Sequence, residues 1–195
     1  MLTSILLWGG GGEKIVIDVG ANLGDSSLFF AKKGFKVIGF EPLNEVYEIA
    51  LENIKLNNLE GKITLVNKGV GAKKGFIQLY YNDINSSLSA TTTKPIKINT
   101  KKRVEVTTID EIIKEYALEN LFLLKMDCEG CEFEIISNSN LSMFKEIVFE
   151  YHTFLSGIKY NQLTDKLEKE GFNIFYHKIH NNELGVIHMK NINSK

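Results

Sequence analysis

The segment from residue 15 to residue 24 constrains the fold most, because it joins an apolar strand pattern to a glycine turn and a helix. It reads Ile-Val-Ile-Asp-Val-Gly-Ala-Asn-Leu-Gly. Ile15 to Val19 suits a strand buried on both faces, which is typical of a parallel sheet covered by helices. Gly20 permits a tight turn, and Gly24 precedes a helical pattern. The free N–H groups of that helix N-terminus would face a ligand docked at the turn.

The glycine spacing separates this turn from a dinucleotide-binding turn. A dinucleotide fingerprint has the form G-x-G-x-x-G, whereas Gly20 and Gly24 are four positions apart with Asn22 between them. Asp18 also lies in the strand end, where a carboxylate would repel a pyrophosphate and could hold an ammonium group. The turn therefore favours a nucleoside cofactor without phosphate, with a purely structural strand–helix turn as the alternative.

A second acidic residue follows the next strand pattern. Residues 35–40 suit another buried strand, which ends at Glu41 and Pro42. An acid at that place can accept hydrogen bonds from both ribose hydroxyls, a charge-assisted interaction worth about 1.5–3 kcal/mol. Glu41 is therefore the expected ribose ligand, although a nicotinamide cofactor would use it too. The alternative is a solvated charge at a strand end.

Strand and helix patterns alternate along most of the chain, which predicts a mainly parallel sheet with helices on both faces. In chain order, further elements are expected at residues 43–57, 63–66, 108–116, 121–126, 146–149 and 160–170. Residues 172–176 and 184–188 suit a closing antiparallel pair. Residues 69–106 interrupt the alternation and predict a β-hairpin and loop inserted over the site, with Gly69 at the cofactor edge.

Length and composition fit one catalytic domain over residues 1–195, with residues 1–14 as a short N-terminal extension. With 44% hydrophobic residues, the chain can bury a core without disulfides or metal. The net charge of −1 argues against a protein that coats nucleic acid. No signal-peptide pattern and no apolar run of about 18 residues occurs, which predicts no membrane association and a cytoplasmic location.

The predicted insertion carries a cationic stretch. No acid occurs between Asp83 and Glu105, while five cations do: Lys94, Lys97, Lys101, Lys102 and Arg103. Such a rim could attract an anionic substrate, and a solvated hairpin is the alternative. No aromatic residue interleaves with these charges, which weakens the case for single-stranded nucleic acid.

A second chemical centre follows the predicted strand at 121–126. Asp127, Glu129 and Glu132 fall within six residues. Like charges so close together destabilise a fold unless the carboxylates are solvated, are paired or take part in binding or catalysis. The carboxyl ends of the strands line the ligand crevice of a doubly wound sheet, so Asp127 and Glu129 should approach the reactive end of a cofactor.

As an ordered set, these segments resemble the FkbM family of class I S-adenosylmethionine-dependent methyltransferases. The set spans roughly residues 15–152 and comprises residues 16–24, 40–42, Asn57, 108–110 and 125–132. The resemblance implies a doubly wound, Rossmann-like α/β fold with a seven-stranded mixed sheet. It also implies an enzyme that uses S-adenosylmethionine, releases S-adenosylhomocysteine and O-methylates a small hydroxylated acceptor such as a sugar or natural product.

The family pattern, carried over position by position, assigns the cofactor contacts. They are Asp18, Gly20, Ala21, Asn22, Gly24, Asp25, Glu41, Pro42, Gly69 and Asp127. The first turn would hold the methionine part and Glu41 the ribose, while Asp127 and Glu129 would border the methyl site. Cysteines at positions 128 and 131 depart from the small or branched apolar residues expected there.

The expected catalytic residues are Asp127, Glu129 and His152. A hydroxyl must lose its proton as it attacks a methyl group, and a carboxylate can take that proton. Two carboxylates could instead hold a divalent cation, so a metal requirement stays open. His152 could serve as base or acceptor ligand, with a hydrogen-bonded crevice histidine as the alternative.

Several alternatives remain at this point. Amino-group methylation of bases is disfavoured, because the Asn/Asp-Pro-Pro-aromatic motif is missing and the chain has only Pro42 and Pro95. An RNA methyltransferase or a non-catalytic nucleoside-binding module is the alternative function, and the oligomeric state is open.

Cys128 and Cys131 are expected to be packed thiols rather than a redox pair or half of a zinc site.

Overall fold

The apolar run at residues 15–19 forms an interior strand of a seven-stranded sheet in the computed structural model, which describes residues 12–81, 90–91 and 100–194. In chain order the strands are β1 (Ile15–Val19), β2 (Lys36–Phe40), β3 (Ile63–Val66), β4 (Gly69–Val70), β5 (Gly75–Tyr81), β6 (Ala90–Thr91), β7 (Thr100–Thr107), β8 (Leu121–Met126), β9 (Glu146–His152), β10 (Phe172–Ile179) and β11 (Leu184–Asn191). The helices are α1 (Asp25–Lys32), α2 (Asn44–Leu56), α3 (Ile109–Glu115), α4 (Cys131–Asn138), α5 (Thr153–Ser156) and α6 (Tyr160–Lys169).

The main sheet has the order β10-β11-β9-β8-β1-β2-β3. Strands β1, β2, β3, β8 and β9 run parallel, while β11 pairs antiparallel with both β9 and β10. The predicted seven-stranded mixed sheet with its closing antiparallel pair is therefore confirmed. Parallel strands end at one edge, so the residues that follow β1, β2 and β8 meet there.

Both faces of the sheet are buried, as the apolar pattern of β1 predicts. Val16 and Ile17 point to opposite faces, and each is 0% exposed. Val16 packs in a cluster with Phe30 of α1 and Ala50 of α2, whereas Ile17 packs in a second cluster that contains Ile135 of α4. The helices thus hold the strand ends in fixed positions.

The insertion forms a second, four-stranded sheet with the order β4-β7-β5-β6. Leu79 of β5 and Val104 of β7 pack against Leu43 and Val46 at the start of α2, which fixes this sheet beside the main one. The predicted hairpin is confirmed. Lys94 and Lys97, two of the five cations of the expected rim, lie outside the described residues.

Most predicted boundaries hold, with two informative differences. Thr108 caps α3 as expected, because its hydroxyl accepts a hydrogen bond from the Glu111 N–H at 3.3 Å. Strand β9 continues to His152 rather than ending near residue 149, since it pairs with β11 along its length. Helix α4 was not predicted: it begins after Gly130, whose φ of 113° ends the carboxylate-rich loop. In the described part of the chain, no helix is long and apolar enough to cross a membrane.

Candidate active site

Two cavities lie at the edge where β1, β2, β8 and β9 run out. The first, which we call the Glu41 cavity, has a volume of about 220 Å³. Its wall includes the predicted residues Gly20, Asn22, Glu41, Pro42, Gly69, Asp127 and Glu129. The second, the Lys125 cavity, has a volume of about 640 Å³, and its wall includes Ala21, Asp25, Ser26, Phe29 and Lys125. Both walls contain Gly20, Asn22, Asp127 and Glu150.

The turn after β1 can be built only with glycine at position 20. Gly20 has a φ of 76°, and a Cβ atom there would overlap the backbone carbonyl of Asp127. The N–H groups of Gly20 and Ala21 both donate to the carbonyl of Phe40, at 3.1 and 2.9 Å. Asn22 follows with a φ of 51°, a conformation that asparagine tolerates better than most residues. The turn is thus clamped between β2 and the loop after β8.

Asp18 supports this turn from beneath and lines neither cavity. Its Oδ2 accepts hydrogen bonds from the hydroxyls of Ser26 and Ser27, each at 2.6 Å. Its Oδ1 lies 3.0 Å from the Nζ of Lys125, which also donates to the carbonyl of Gly20 at 2.8 Å. The buried Asp18–Lys125 pair therefore joins the first turn to β8.

Burial by itself would lower the pKa of Lys125, but the carboxylates of Asp18 and Asp127 outweigh it, and the net pKa is raised. Lys125 is accordingly charged at neutral pH. Two of its neighbours are anionic and the third is a backbone carbonyl, so the ammonium group is held on the wall of the Lys125 cavity by the protein itself.

Glu41 is 7% exposed and borders the Glu41 cavity. One carboxylate oxygen accepts from the N–H of Leu43 at 2.9 Å, and the other accepts from the N–H of Asn22 at 3.1 Å. Burial raises the pKa of Glu41 to about 7, against the lowering effect of these two N–H groups and of Lys125. Each oxygen keeps a lone pair for a hydroxyl donor in the cavity.

The loop after β8 presents its carboxylates in different ways. Glu129 faces the Glu41 cavity with a φ of 55°, and its Oε2 lies 3.3 Å from the Nε2 of His152. Burial raises the pKa of Glu129, His152 lowers it and Asp127 raises it further. His152 is buried behind Glu129 and lines neither cavity. Among the expected catalytic residues, only Asp127 and Glu129 reach a cavity wall.

Glu132 lies in the first turn of α4 and fixes the loop that precedes this helix. It is 2% exposed, and its two carboxylate oxygens accept from the N–H groups of Cys128 and Gly130, at 2.8 and 2.9 Å. Burial raises the pKa of Glu132 in spite of these bonds. The third carboxylate of the sequence cluster thus shapes the loop and does not face a ligand.

The cysteines correct an expectation. Cys128 and Cys131 form a disulfide bond, so they are not packed thiols. Their Cα atoms are 5.5 Å apart, within the usual range for a bridge, because the loop turns back on itself to start α4. Both residues belong to the wall of the Glu41 cavity. The spacing of the two cysteines was the available signal, but the neighbouring carboxylates favoured unreactive thiols.

Glu150 on β9 is a cavity residue that the expected catalytic set missed. Met126 and Phe149 are register partners in β8 and β9, so the next residues, Asp127 and Glu150, lie side by side. Like Asp127, Glu150 borders both cavities, so the two acids share one part of the wall. The signal in the sequence was an acid directly after each of the predicted strands at 121–126 and 146–149. Only the strand register shows that these two acids are neighbours.

Three of the expected residues line neither cavity: Asp18, Gly24 and His152. Gly24 is the N-cap of α1 and has a φ of 90°.

Over residues 12–81, 90–91 and 100–194, no group of three or more His, Cys, Asp or Glu side chains is arranged to hold a metal ion.

Two cations of the insertion have partners within the protein. Lys102 lies 2.7 Å from Glu45, and Arg103 stacks 4.2 Å above the ring of Phe76.

The fold is the Rossmann-like α/β fold of class I methyltransferases, as solved structures show. TrmK of M. capricolum, in complex with the cofactor product S-adenosylhomocysteine, matches with a TM-score of 0.59 and 12% identity, over 98% of this chain and 67% of that one. Precorrin-6y C5,15-methyltransferase from Geobacter metallireducens GS-15 matches with a TM-score of 0.52 and 13% identity, over 95% of this chain and 82% of that one. At such identities the likeness concerns the fold alone.

The profile of the methyltransferase FkbM domain matches residues 18–174, and the chain belongs to this family of S-adenosylmethionine-dependent methyltransferases. Methyltransferase sdnD from Sordaria araneosa is 26% identical over 192 residues, covering 82% of this chain and 73% of that protein. The resemblance carried by the strand ends and the loop after β8 is confirmed.

Proposed function

We propose that the protein transfers a methyl group from S-adenosylmethionine to a hydroxyl of a small acceptor such as a sugar or natural product. The observation that carries this proposal is the set of carboxyl groups from Asp127, Glu129 and Glu150 at the cavity walls. A hydroxyl nucleophile must give up a proton, and these groups can accept one. Asp127 is followed by Cys128 rather than by the Pro-Pro-aromatic sequence that favours amino-group methylation.

The residues around the Glu41 cavity suit the nucleoside part of this cofactor. Glu41 would accept hydrogen bonds from the ribose hydroxyls, while Gly69 and Val70 would border the adenine. The Gly20 turn supports the assignment, because its backbone lies where a side chain of any size would already overlap the loop after β8. No phosphate cradle is present in this turn, which agrees with a cofactor that carries none.

The methionine part would pass Gly20 and Asn22 toward the Lys125 cavity, since both residues belong to the two walls. There the start of α1 offers backbone N–H groups to a carboxylate. Asp18 would act on the cofactor indirectly, through the hydrogen bonds and the ion pair that fix the turn. When bound, S-adenosylmethionine supplies an electrophilic methyl group on a sulfonium ion, whose positive charge suits a wall rich in carboxylates.

The cofactor site is tested by calorimetry with S-adenosylhomocysteine. Binding in the micromolar range is expected, and Glu41→Ala should weaken it roughly 10- to 100-fold through the loss of the ribose hydrogen bonds. Glu168→Ala, an exposed position on α6, serves as the control and should bind like the wild type. Unchanged affinity in the Glu41 variant would refute the placement of the ribose.

The acceptor class is tested by tritium transfer from labelled S-adenosylmethionine. A panel of methyl glycosides of common hexoses and deoxyhexoses is compared with total RNA, and label is expected in the glycosides. Label found in RNA instead would replace the proposal by an RNA methyltransferase. Cofactor binding without transfer to either pool would contradict O-methylation of such sugars.

A further inference from the structure

Glu150 lies on β9 and borders both cavities. Its neighbour across the strand pair is Asp127, and its partner on the other side is Val186 of β11, an apolar residue. Asp127 is fixed in turn by its N–H, which donates to the carbonyl of Val19 at 3.0 Å. The two carboxyl groups therefore lie on rigid strand ends next to the Gly20 turn.

Two neighbouring carboxyl groups repel each other when both are ionised, which favours a proton on one of them. Burial raises the pKa of Glu150 to about 7, the neighbouring Asp127 raises it further, and Glu129 adds to this effect while His152 opposes it. Glu150 is thus partly protonated at neutral pH, and it exchanges its proton in the range where a general base works best.

Three other acids at this edge, Glu129, Glu132 and Glu41, are engaged elsewhere. Glu129 pairs with His152, and Glu132 is occupied by two backbone N–H groups. Glu41 accepts two backbone N–H groups at the nucleoside end of the cavity. Glu150 differs from them because its neighbour across the strand pair is another carboxyl group, that of Asp127.

We propose that Glu150 is a further catalytic residue, which takes the proton of the acceptor hydroxyl during methyl transfer from its place beside Asp127. This inference rests on the proposed O-methylation. The bond between the acceptor oxygen and the methyl carbon forms as the bond between that carbon and sulfur breaks. Sulfur keeps the electron pair and becomes a neutral thioether, and the hydroxyl proton passes to the carboxylate of Glu150, from which water removes it.

The first test compares proton release on binding of S-adenosylmethionine and S-adenosylhomocysteine, measured by calorimetry at pH 7 in buffers of different ionisation enthalpy. The two ligands differ in the methyl group and its positive charge, so groups that contact the nucleoside contribute equally to both. A sulfonium next to Glu150 lowers the pKa of this carboxyl group, and up to about half a proton per site should be released with S-adenosylmethionine alone.

Glu150→Gln is the decisive variant, because glutamine mimics the protonated acid and can still donate to Asp127. The fold and S-adenosylhomocysteine binding should be retained, while the difference in proton release disappears. Glu168→Gln is the matched control and should keep the difference. Equal proton release for both ligands in the wild type, or an unchanged difference in Glu150→Gln, would overturn the inference. Failure of both ligands to bind would instead refute the proposed cofactor site.

The second test is the rate of tritium transfer to the glycoside panel between pH 5.5 and 8.5. With saturating S-adenosylmethionine, the wild-type rate should rise as Glu150 loses its proton and then level off, with a midpoint below pH 7 because the sulfonium lowers the pKa of this carboxyl group. Glu150→Gln should reduce the rate roughly 10²- to 10⁴-fold and remove this pH dependence, while Glu150→Asp restores part of it. A Glu150→Gln variant that transfers methyl groups at the wild-type rate would exclude Glu150 as the base.

Discussion

Replacing Asp18 with asparagine is expected to destabilise the protein by about 3 kcal/mol, because the change leaves Lys125 buried without its carboxylate partner. Asp18 is 0% exposed and the side chain of Lys125 is 12% exposed, so solvent cannot replace the lost charge. Breaking a buried ion pair on one side typically costs 3–5 kcal/mol. The lower figure applies here, since the Gly20 carbonyl continues to accept from the Lys125 ammonium group.

Urea unfolding followed by circular dichroism measures this effect, and a thermal melt should shift by about 6–12 °C for a chain of this length. Glu45→Gln is the control, because it makes the same chemical change in an ion pair whose members, Glu45 and Lys102, are 42% and 32% exposed. An exposed pair contributes less than about 1 kcal/mol.

A double variant separates the ion pair from the loss of a single side chain. Asp18→Asn combined with Lys125→Met removes both charges and leaves an apolar side chain in the same space. It should be more stable than Asp18→Asn alone by at least about 1 kcal/mol, because no unpaired charge remains buried. The reasoning fails if Asp18→Asn costs less than about 1 kcal/mol, or if the double variant is the less stable of the two.

Three further outcomes are expected. Gly20→Ala should abolish S-adenosylhomocysteine binding in calorimetry, because the added Cβ overlaps the backbone of Asp127. Gly34→Ala is the control: Gly34 has a φ of 93° and open space around it, so the change should lower the free energy of unfolding by only about 1 kcal/mol and leave binding intact. S-adenosylhomocysteine affinity should be highest above about pH 7 and fall at lower pH, because the pKa of Glu41 is raised to about 7 and the ionised form binds ribose hydroxyls; a flat profile would contradict this role. Reducing the Cys128–Cys131 disulfide should lower stability by roughly 2 kcal/mol, a melting shift of about 4–8 °C, and a variant with serine at both positions should not respond to the reductant.

Local sequence patterns predicted a large part of the fold. The strand at 15–19, the turn at Gly20 and the acid at Glu41 each follow from short-range rules: apolar runs, backbone freedom and the direction of parallel strands. The capped helix after Thr108 and the antiparallel pair near the C-terminus were predicted in the same way. Such features are determined by residues close in the chain, so one sequence suffices to find them.

The parts of the candidate site that the sequence did not reveal depend on pairing between distant strands. Lys125 donates to the carbonyl of Gly20, which is 105 positions away in the sequence, and its ion pair with Asp18 gives this acid a supporting place beneath the turn. Glu150 became a candidate only through its position beside Asp127. The Cys128–Cys131 disulfide required the fold of the loop before α4.

The sequence by itself determined that this chain forms a nucleoside-binding α/β sheet, because residue periodicity and glycine geometry act over a few positions. Tertiary structure decided which acids face the cavities, which acid pairs with a buried lysine and which acids lie side by side. The physical reason is that the pKa and the role of a carboxyl group depend on burial and on neighbouring charges. Strand register brings those neighbours together, and residue spacing along the chain does not specify it.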